Sequence, residues 1–280
     1  MHVCCLESVI IDYVKFDRKK HLNKIARNGG LARVRLHGNP GTTAGRILGG
    51  LNSLKTHRNL KHSPFMPHKF ITPPYSINLA EFIGILLGDG GISSRQVTIT
   101  LHKSDDRDYA YYVSDLILKI FNIVAVPKER KNQNVNIIVL SRTLLIEFLN
   151  SMGIRVGSKI RSQARVPSWI EDSVHYKRKC VRGLFDTDGC FYIDRHLIKG
   201  KIYKNAGMNF TNRSVPLLRF FNNTLTQMGF VPTQTSKYCV VLRKGADIVR
   251  YFGEIGSSNP KHLNKFRAYQ KEKGRVPKRS

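Results

Sequence analysis

Two stretches with helically spaced apolar residues each end in the dipeptide Asp-Gly. The first ends at Asp89-Gly90 and the second at Asp188-Gly189, 99 residues further along the chain. Alternating and helical segments then follow each stretch in the same order, which indicates a diverged internal duplication. The sequence therefore predicts an α+β fold in which the order helix, two strands, helix, two strands, helix occurs twice.

Composition divides the chain into four predicted parts. Residues 1–75 are rich in Gly and Asn and carry 13 Lys and Arg against three acidic residues. We expect this part to be a small basic DNA-binding extension of two helical units with a turn at Asn39-Pro40-Gly41, and a disordered tail is the alternative. Residues 76–170 are the first predicted repeat, 171–266 the second, and 267–280 a basic C-terminal tail.

The net charge is +28 over 280 residues, which indicates a polyanionic partner. Hydrophobic residues make up 41% of the chain, enough to build a core, so a wholly disordered protein is excluded. No apolar run approaches the roughly 18 residues of a membrane span, and the start lacks the layout of a signal peptide. We therefore expect a soluble intracellular protein of the cytoplasm or nucleoid, with an organellar matrix as the alternative and no membrane partner.

The two helix ends conflict with simple helix electrostatics. A carboxylate in the last turn faces the negative end of the helix dipole, typically at a cost of ~0.3–1 kcal/mol. Small residues four apart line one side of each helix: Gly84 and Gly88 in the first, Gly183 and Thr187 in the second. If the helices pack along these residues, Asp89 and Asp188 meet as a like-charge pair that bound cations stabilise. Paired, solvent-accessible carboxylates suit Mg²⁺.

These residues resemble a known family. Residues 82–90, FIGILLGDG, and 181–189, VRGLFDTDG, look like the two motifs of a single-chain LAGLIDADG homing endonuclease. The resemblance covers about residues 77–266 and departs from the family pattern at Leu87, where a second acid is common. It implies a monomer with pseudo-twofold symmetry, in which tandem αββαββα domains form a saddle of antiparallel sheets on double-stranded DNA with a long specific site.

The resemblance also implies the chemistry of the site. The last carboxylate of each motif helix binds divalent metal, and both DNA strands are cut across the minor groove. The metal positions implied are Asp89, Asp188, Gly88 and Thr187, with Mg²⁺ as the expected cofactor and Mn²⁺ as a substitute. In family members, polar or cationic side chains at strand-to-helix junctions complete the catalytic site. The matching positions here are Lys103, Asn212 and Lys244.

Polar residues on the predicted strands are candidates for contact with base edges in a major groove. The candidates are Gln96, Thr98, Thr100, His102, Asn134 and Asn136 in the first half, and Lys204, Asn209, Thr211 and Arg243 in the second. A half-buried sheet explains the same alternation without any function, and a slip of one residue inverts the facing.

The leading hypothesis is a site-specific, metal-dependent DNA endonuclease of the intron-homing type. One alternative is a maturase that uses the same fold to bind intron RNA during splicing. Another is a DNA-binding protein that has lost catalysis, although the retention of both Asp89 and Asp188 argues against it. The duplicated motifs disfavour an unrelated basic protein such as a ribosomal one.

Overall fold

A computed structural model of the chain describes residues 4–38, 41–60, 70–198 and 200–274. Its internal contacts divide the chain into two units, Met1–Met66 and Pro67–Ser280. Asn39 and Pro40 of the predicted turn lie outside the described residues, as do residues 275–280 of the predicted tail. No helix in the described ranges is long and apolar enough to cross a membrane.

The first unit contains two helices, α1 (Cys4–His37) and α2 (Thr43–Asn59). The Thr42 hydroxyl accepts the Gly45 amide at 3.1 Å and caps the start of α2. Gly49 and Gly50 lie inside α2 rather than at its end, although each Gly costs a helix interior ~1 kcal/mol relative to Ala. Several apolar side chains of this unit are exposed: Leu22, Ile25, Leu31, Ile47, Leu48, Leu51 and Leu54.

The second unit repeats one order of elements. The first repeat comprises α3 (Ile77–Asp89), β1 (Gly90–Ile92), β2 (Val97–His102), α4 (Arg107–Phe121), β3 (Lys128–Glu129), β4 (Val135–Leu140) and α5 (Thr143–Ser151). After the short α6 (Ser168–Glu171), the second repeat comprises α7 (Val174–Asp188), β5 (Gly189–Ile198), β6 (Lys201–Thr211), α8 (Val215–Gln227), β7 (Thr233–Ser236), β8 (Cys239–Leu242) and α9 (Gly245–Glu254). The last helix is α10 (Pro260–Gly274). The predicted duplicated α+β fold is confirmed.

Each repeat contributes one antiparallel sheet of four strands. The strand orders are β1-β2-β4-β3 and β5-β6-β8-β7. The two sheets differ in their first hairpin, because β5 and β6 have 10 and 11 residues while β1 and β2 have three and six. In both repeats the first strand begins directly after the motif aspartate, so helix and sheet are joined at the carboxylate.

Helices α3 and α7 pack against each other through glycine. A Cβ atom on Gly84 would overlap with the Cys180 carbonyl oxygen and lie 3.0 Å from the Leu184 nitrogen. A Cβ atom on Gly183 would overlap with the Glu81 carbonyl oxygen in the same way. The two backbones are therefore in direct contact, an approach that only glycine allows. The predicted packing along small residues is what the structure has.

A buried carboxylate ties the two repeats together beside this contact. Glu81 of α3 is 1% exposed. Its oxygens accept from the Tyr112 hydroxyl at 2.6 Å, from Lys179 Nζ at 3.1 Å and from the Ser258 hydroxyl at 2.5 Å. A buried charge is tolerated when it is paired and hydrogen-bonded, so this cluster fixes α3 against α4, α7 and the segment before α10.

The predicted boundary at residue 266 falls inside α10. Phe266 and Tyr269 are buried, and the Phe266 ring stacks on Phe252 with ring centres 4.0 Å apart. The Tyr269 ring lies 6.0 Å from that of Phe191. Residues 267–274 are therefore part of a packed helix and not a tail, because apolar residues three apart give the basic segment one buried side.

Candidate functional site

The two motif aspartates lie together at one end of the α3–α7 pair. Asp89 is the last residue of α3 and Asp188 the last of α7. A Cβ atom on Gly88 would overlap with the Thr187 hydroxyl and lie 3.4 Å from Asp188 Oδ2. The carboxylate of one helix therefore adjoins the end of the other. The predicted convergence of the two aspartates is what the structure shows.

The charges of this pair are perturbed by burial and by each other. Burial, the nearby Asp188 carboxylate and a smaller effect of Asp106 raise the pKa of Asp89 to about 7, against the opposing effect of Lys159 and Lys261. Burial also raises the pKa of Asp188, while a hydrogen bond from Asn212 and the charge of Lys159 act in the opposite direction. Two neighbouring carboxylates that resist ionising together attract a cation.

Lys159 supplies one positive charge to this end of the helices. The residue lies in the turn after α5, and its Nζ donates to the carbonyl oxygens of Leu87 at 2.9 Å and of Gly88. It thereby caps the negative end of the α3 dipole, where Asp89 adds a further negative charge. Burial lowers the pKa of Lys159, and the charges of Asp188 and Asp89 oppose that shift.

Asn212 holds the second aspartate. Its side-chain Nδ2 donates to Asp188 Oδ2 at 2.7 Å, and its Oδ1 accepts the backbone amide of Ser214 at 2.7 Å. Asn212 follows β6 directly, so the junction between β6 and α8 brings it to the carboxylate. The sequence-based choice of this junction for a polar group next to the aspartates agrees with this placement.

The donors present fit a hard divalent cation that keeps water or phosphate ligands. In the described part of the chain, no group of three or more His, Cys, Asp or Glu side chains is placed to hold a metal ion. Two carboxylates match the usual protein share of a Mg²⁺ shell. The other two predicted metal positions are occupied differently: the Gly88 carbonyl accepts from Lys159, and the Thr187 hydroxyl donates to the Gly183 carbonyl at 2.9 Å. In the structure these two residues pack the helix ends together.

The predicted cationic catalytic residues lie at the edges of the site. Lys103 is exposed, and its Nζ pairs with Glu129 of β3 at 2.8 Å, so it is not directed to either aspartate. Sequence alone does not reveal this partner, because β3 is brought beside the junction only by pairing with β4. Lys244 is the exposed N-cap residue of α9, and Arg243 before it is also exposed. Catalysis by Lys103 and Lys244, and DNA contact by Arg243, stay predictions.

The first sheet presents the predicted polar face with one exception. Val97, Ile99 and Leu101 are buried, and Thr98, Thr100 and His102 alternate with them on the open face. Asn134 Nδ2 lies 2.9 Å from His102 Nε2 on that face, and Gln96 is exposed just before β2. Asn136 was expected on the open face, and this is wrong, because it is 7% exposed and donates to the Lys103 carbonyl at 3.3 Å.

In the second sheet, the structure differs from the prediction at Lys204. Asn209 pairs with Cys190 and shares a face of the sheet with Thr211. Lys204 lies an even number of residues from buried Met208 and Phe210, so its side chain is on their face instead. Lys204 Nζ accordingly pairs with Glu272 of α10 at 2.9 Å. Lys204, predicted as a DNA contact together with Asn209, therefore lies on the opposite face of β6, because side chains alternate with a period of two. The open face carries other residues that sequence reasoning passed over: Tyr192, Asp194, His196 and Asn205.

Sequence reasoning also missed three groups near the aspartates, namely Lys159, Asp106 and Lys261. Asp106 Oδ1 pairs with Lys261 Nζ at 2.8 Å and accepts from Asn259 Nδ2 at 2.8 Å. Burial alone would raise the pKa of Asp106, but the hydrogen bonds from Lys261 and Asn259 hold it below its ordinary value. The duplication contains a signal for the lysines, since each follows the Gly that ends the third helix of its repeat by five or six residues.

Comparison with known protein families places a match in the second repeat. Residues 175–256 match the family described as LAGLIDADG-like domain. That range comprises α7 to α9 and includes the second motif, so the predicted resemblance is confirmed for the second repeat. A curated relative is the replication factor C small subunit of Methanocaldococcus jannaschii, 27% identical over 195 residues. The match covers 68% of this chain but only 10% of that protein.

Solved structures with a similar fold include three meganucleases or homing endonucleases. The LAGLIDADG meganuclease I-AabMI, bound to uncleaved DNA, is 14% identical with a TM-score of 0.47 over 70% of this chain and 91% of its own. I-SmaMI, bound to an uncleaved DNA target with calcium ions, is 10% identical with a TM-score of 0.49 over 73% and 95%. I-DmoI, in complex with DNA and Mn, is 18% identical with a TM-score of 0.44 over 65% and 97%.

Proposed function

We propose that this chain is a LAGLIDADG-type, site-specific endonuclease that hydrolyses both strands of duplex DNA with a divalent metal ion. The observation that carries the proposal is the meeting of Asp89 and Asp188 where α3 and α7 are in backbone contact, with Lys159 and Asn212 beside them. If the two helices only stabilised the fold, a carboxylate at the negative end of each helix dipole would be unfavourable and would serve no purpose.

The chain's own groups account for the parts of a hydrolytic site. Asp89 and Asp188 would hold the metal ion, which when bound lowers the pKa of water and neutralises charge on the scissile phosphate. Asn212 fixes the orientation of the Asp188 carboxylate through its 2.7 Å hydrogen bond. Lys159, whose ammonium group lies at the carbonyl end of α3, would offset negative charge on a phosphate bound beside the two carboxylates. We propose Mg²⁺ as the physiological ion, with Mn²⁺ as a substitute.

The surface beside the aspartates suits DNA. Because β1 begins at Gly90 and β5 at Gly189, the open faces of both sheets start directly at the two carboxylates. These faces carry hydroxyl, amide, imidazole and phenol groups: Thr98, Thr100, His102, Tyr192, Asn205 and Asn209. Such groups hydrogen-bond base edges in a major groove, while a net charge of +28 favours the phosphate backbone. Since one chain holds both motifs, we propose that it acts as a monomer, inside the cell compartment that holds its target DNA.

The basic first unit would add affinity for the same DNA. Between Asp17 and Glu81 the sequence contains no acidic residue. The exposed basic side chains of α1 and α2 include Lys24, Arg27, Arg33, Arg35, Arg46 and Lys55. An unbroken positive charge on exposed helices favours phosphate contacts without base selection. We propose that this unit increases the affinity of the endonuclease for DNA and takes no part in the chemistry.

One cleavage experiment tests the proposal. The substrate is a duplex that joins the two sequences flanking the DNA element that encodes the protein, because a homing enzyme cuts the uninterrupted form of its insertion site. We expect a double-strand cut with Mg²⁺ and none with EDTA. A mobility shift of this duplex without a cut in Mg²⁺ or Mn²⁺ would favour a catalytically silent DNA-binding protein. Binding to intron RNA in preference to the duplex would favour a maturase.

A further inference from the structure

The turn that carries Lys159 is bonded to the second repeat. Gln163 lies in this turn, and its side-chain Oε1 accepts the backbone amide of Val215 at 3.1 Å. Its Nε2 donates to the Ile160 carbonyl within the turn at 2.7 Å. The Ser214 hydroxyl returns a hydrogen bond to the Ala164 carbonyl at 2.7 Å. The turn after α5 is therefore hydrogen-bonded to the junction between β6 and α8, where Asn212 donates to Asp188.

The other half of the molecule has the reciprocal arrangement. The segment before α10 belongs to the second repeat, and Asn259 in it donates to Asp106 Oδ1 at 2.8 Å. Lys261 pairs with the same oxygen at 2.8 Å. Asp106 lies at the junction between β2 and α4 of the first repeat, where its Oδ2 accepts the His102 amide at 3.3 Å. In each repeat, a loop therefore hydrogen-bonds to the strand-to-helix junction of the other repeat.

We infer that these two loops are reciprocal braces, and that Gln163 is a positioning residue which sets Asn212 and Lys159 relative to Asp188. The inference rests on the proposed function for its catalytic consequence. The brace itself is a feature of the fold, since Gln163 lies in the turn that carries Lys159 and its side chain hydrogen-bonds Arg213 and Val215, which flank the junction residue Ser214 after Asn212.

The backbone of Gln163 supports this assignment. Three non-glycine residues of the described ranges have positive φ, and they are Asn122, Asn132 and Gln163. Asn adopts this conformation readily, whereas Gln at φ +46° is strained. Strain of this kind persists when the surroundings hold the residue in place. The hydrogen bonds of the Gln163 amide to Ile160, Arg213 and Val215 keep the residue in this conformation.

The two braces differ in chemistry, and this difference has a measurable consequence. The Asp106 brace is charged and its Asn259 is fully buried, while the Gln163 brace is neutral and half-buried. Loss of the Gln163 side chain would loosen the junction between β6 and α8, whose Asn212 holds Asp188, and would leave the Asp106 brace intact. The two DNA strands would then be cut at unequal rates, so nicked DNA would accumulate.

The test uses Gln163→Gly, because glycine adopts positive φ without strain and the substitution removes the whole side chain with its amide. Asn122→Gly is the matched control, since Asn122 is exposed, has φ +53° and ends α4 away from both braces. Hydrogen exchange is measured by mass spectrometry on the full chain without DNA. We expect exchange across residues 212–216 to become several-fold faster in Gln163→Gly and to stay unchanged in Asn122→Gly. Unchanged exchange in Gln163→Gly would overturn the brace.

Strand-specific cleavage in single-turnover conditions tests the catalytic part. We expect Gln163→Gly to bind the duplex with unchanged affinity, to cut one strand about tenfold more slowly than the other, and to need more Mg²⁺. Asn259→Ala, assayed at a temperature where circular dichroism shows it folded, should favour the nick in the opposite strand. Equal slowing of both strands in Gln163→Gly would overturn the positioning role. If wild-type protein cuts no DNA, the proposed function fails, and the exchange experiment still decides the brace.

Discussion

Replacing Gly84 by Ala tests the direct backbone contact between α3 and α7. The new Cβ atom would overlap with the Cys180 carbonyl oxygen and lie 3.0 Å from the Leu184 nitrogen, so the helices would have to separate. Neither neighbour is the end of a flexible side chain, and neither can yield by changing rotamer. Gly183→Ala should act alike, because its Cβ atom would meet the Glu81 carbonyl oxygen and lie 2.8 Å from the Ile85 nitrogen.

The expected size of the effect follows from two opposing terms. Overpacking a core costs ~1–3 kcal/mol, and losing a Gly from a helix returns up to ~1 kcal/mol. A net loss of about 1–2 kcal/mol in a domain of this size lowers the melting temperature by about 2–8 °C. Cleavage should fall as well, because separation of the helices displaces Asp89 from Asp188.

A third glycine provides the control. Gly253 lies inside α9, and a Cβ atom there would meet nothing within 4 Å. Gly253→Ala should therefore leave the melting temperature unchanged or raise it, with normal cleavage. Thermal unfolding followed by circular dichroism compares the three variants at one pH. If Gly84→Ala melted at or above the wild-type temperature, as Gly253→Ala should, the packing account of this interface would be refuted.

Three further predictions concern charge. In EDTA, the free energy of unfolding should fall as pH rises from about 4 to about 7, because Asp89 keeps in the folded state a proton that the unfolded chain releases. Urea titrations at several pH values should show a smaller fall for Asp89→Asn, and an identical fall would contradict the raised pKa. Deletion of residues 1–66 should weaken DNA binding and leave the cut position unchanged. The slope of log K against log salt should become shallower by roughly 0.9 for each phosphate that this unit neutralises. Equal affinity of the truncated and full-length proteins at equal salt would refute the accessory role. Lys159→Met should slow cleavage by at least tenfold while the mobility shift of the duplex persists. Cleavage at the wild-type rate would show that Lys159 has no role in catalysis.

Much of the fold was predictable because two strong patterns coincide. Helical spacing ends at Asp89 and again at Asp188, and the alternation of Val97, Ile99 and Leu101 sets the facing of β2. The small residues along each helix predicted how the aspartates meet. These features are local or repeat along the chain, so the sequence displays them directly.

The remaining parts depend on contacts between distant segments. Lys159 reaches the aspartates from a loop with no periodic pattern, and Asp106 acquires its role from a segment more than 150 residues away. Lys204 was misplaced because its partner Glu272 lies on α10, and the packing of α10 beside β5 and β6 is not visible in the sequence. Asn136 was misplaced for a related reason, since its partner is the backbone at Lys103.

The most direct test of the central claim compares cleavage with binding in Asp89→Asn and Asp188→Asn. Asparagine keeps the size of the side chain but removes the charge that a hard divalent cation needs. Asp172→Asn is the control for the loss of one negative charge, since Asp172 is exposed and lies outside the site. Strand-specific cleavage in Mg²⁺ and a mobility shift in Ca²⁺ are measured on the same duplex. We expect each site variant to lose cleavage by orders of magnitude with its mobility shift retained or strengthened, and Asp172→Asn to cut normally. Wild-type cleavage by Asp188→Asn in Mg²⁺ would contradict the account.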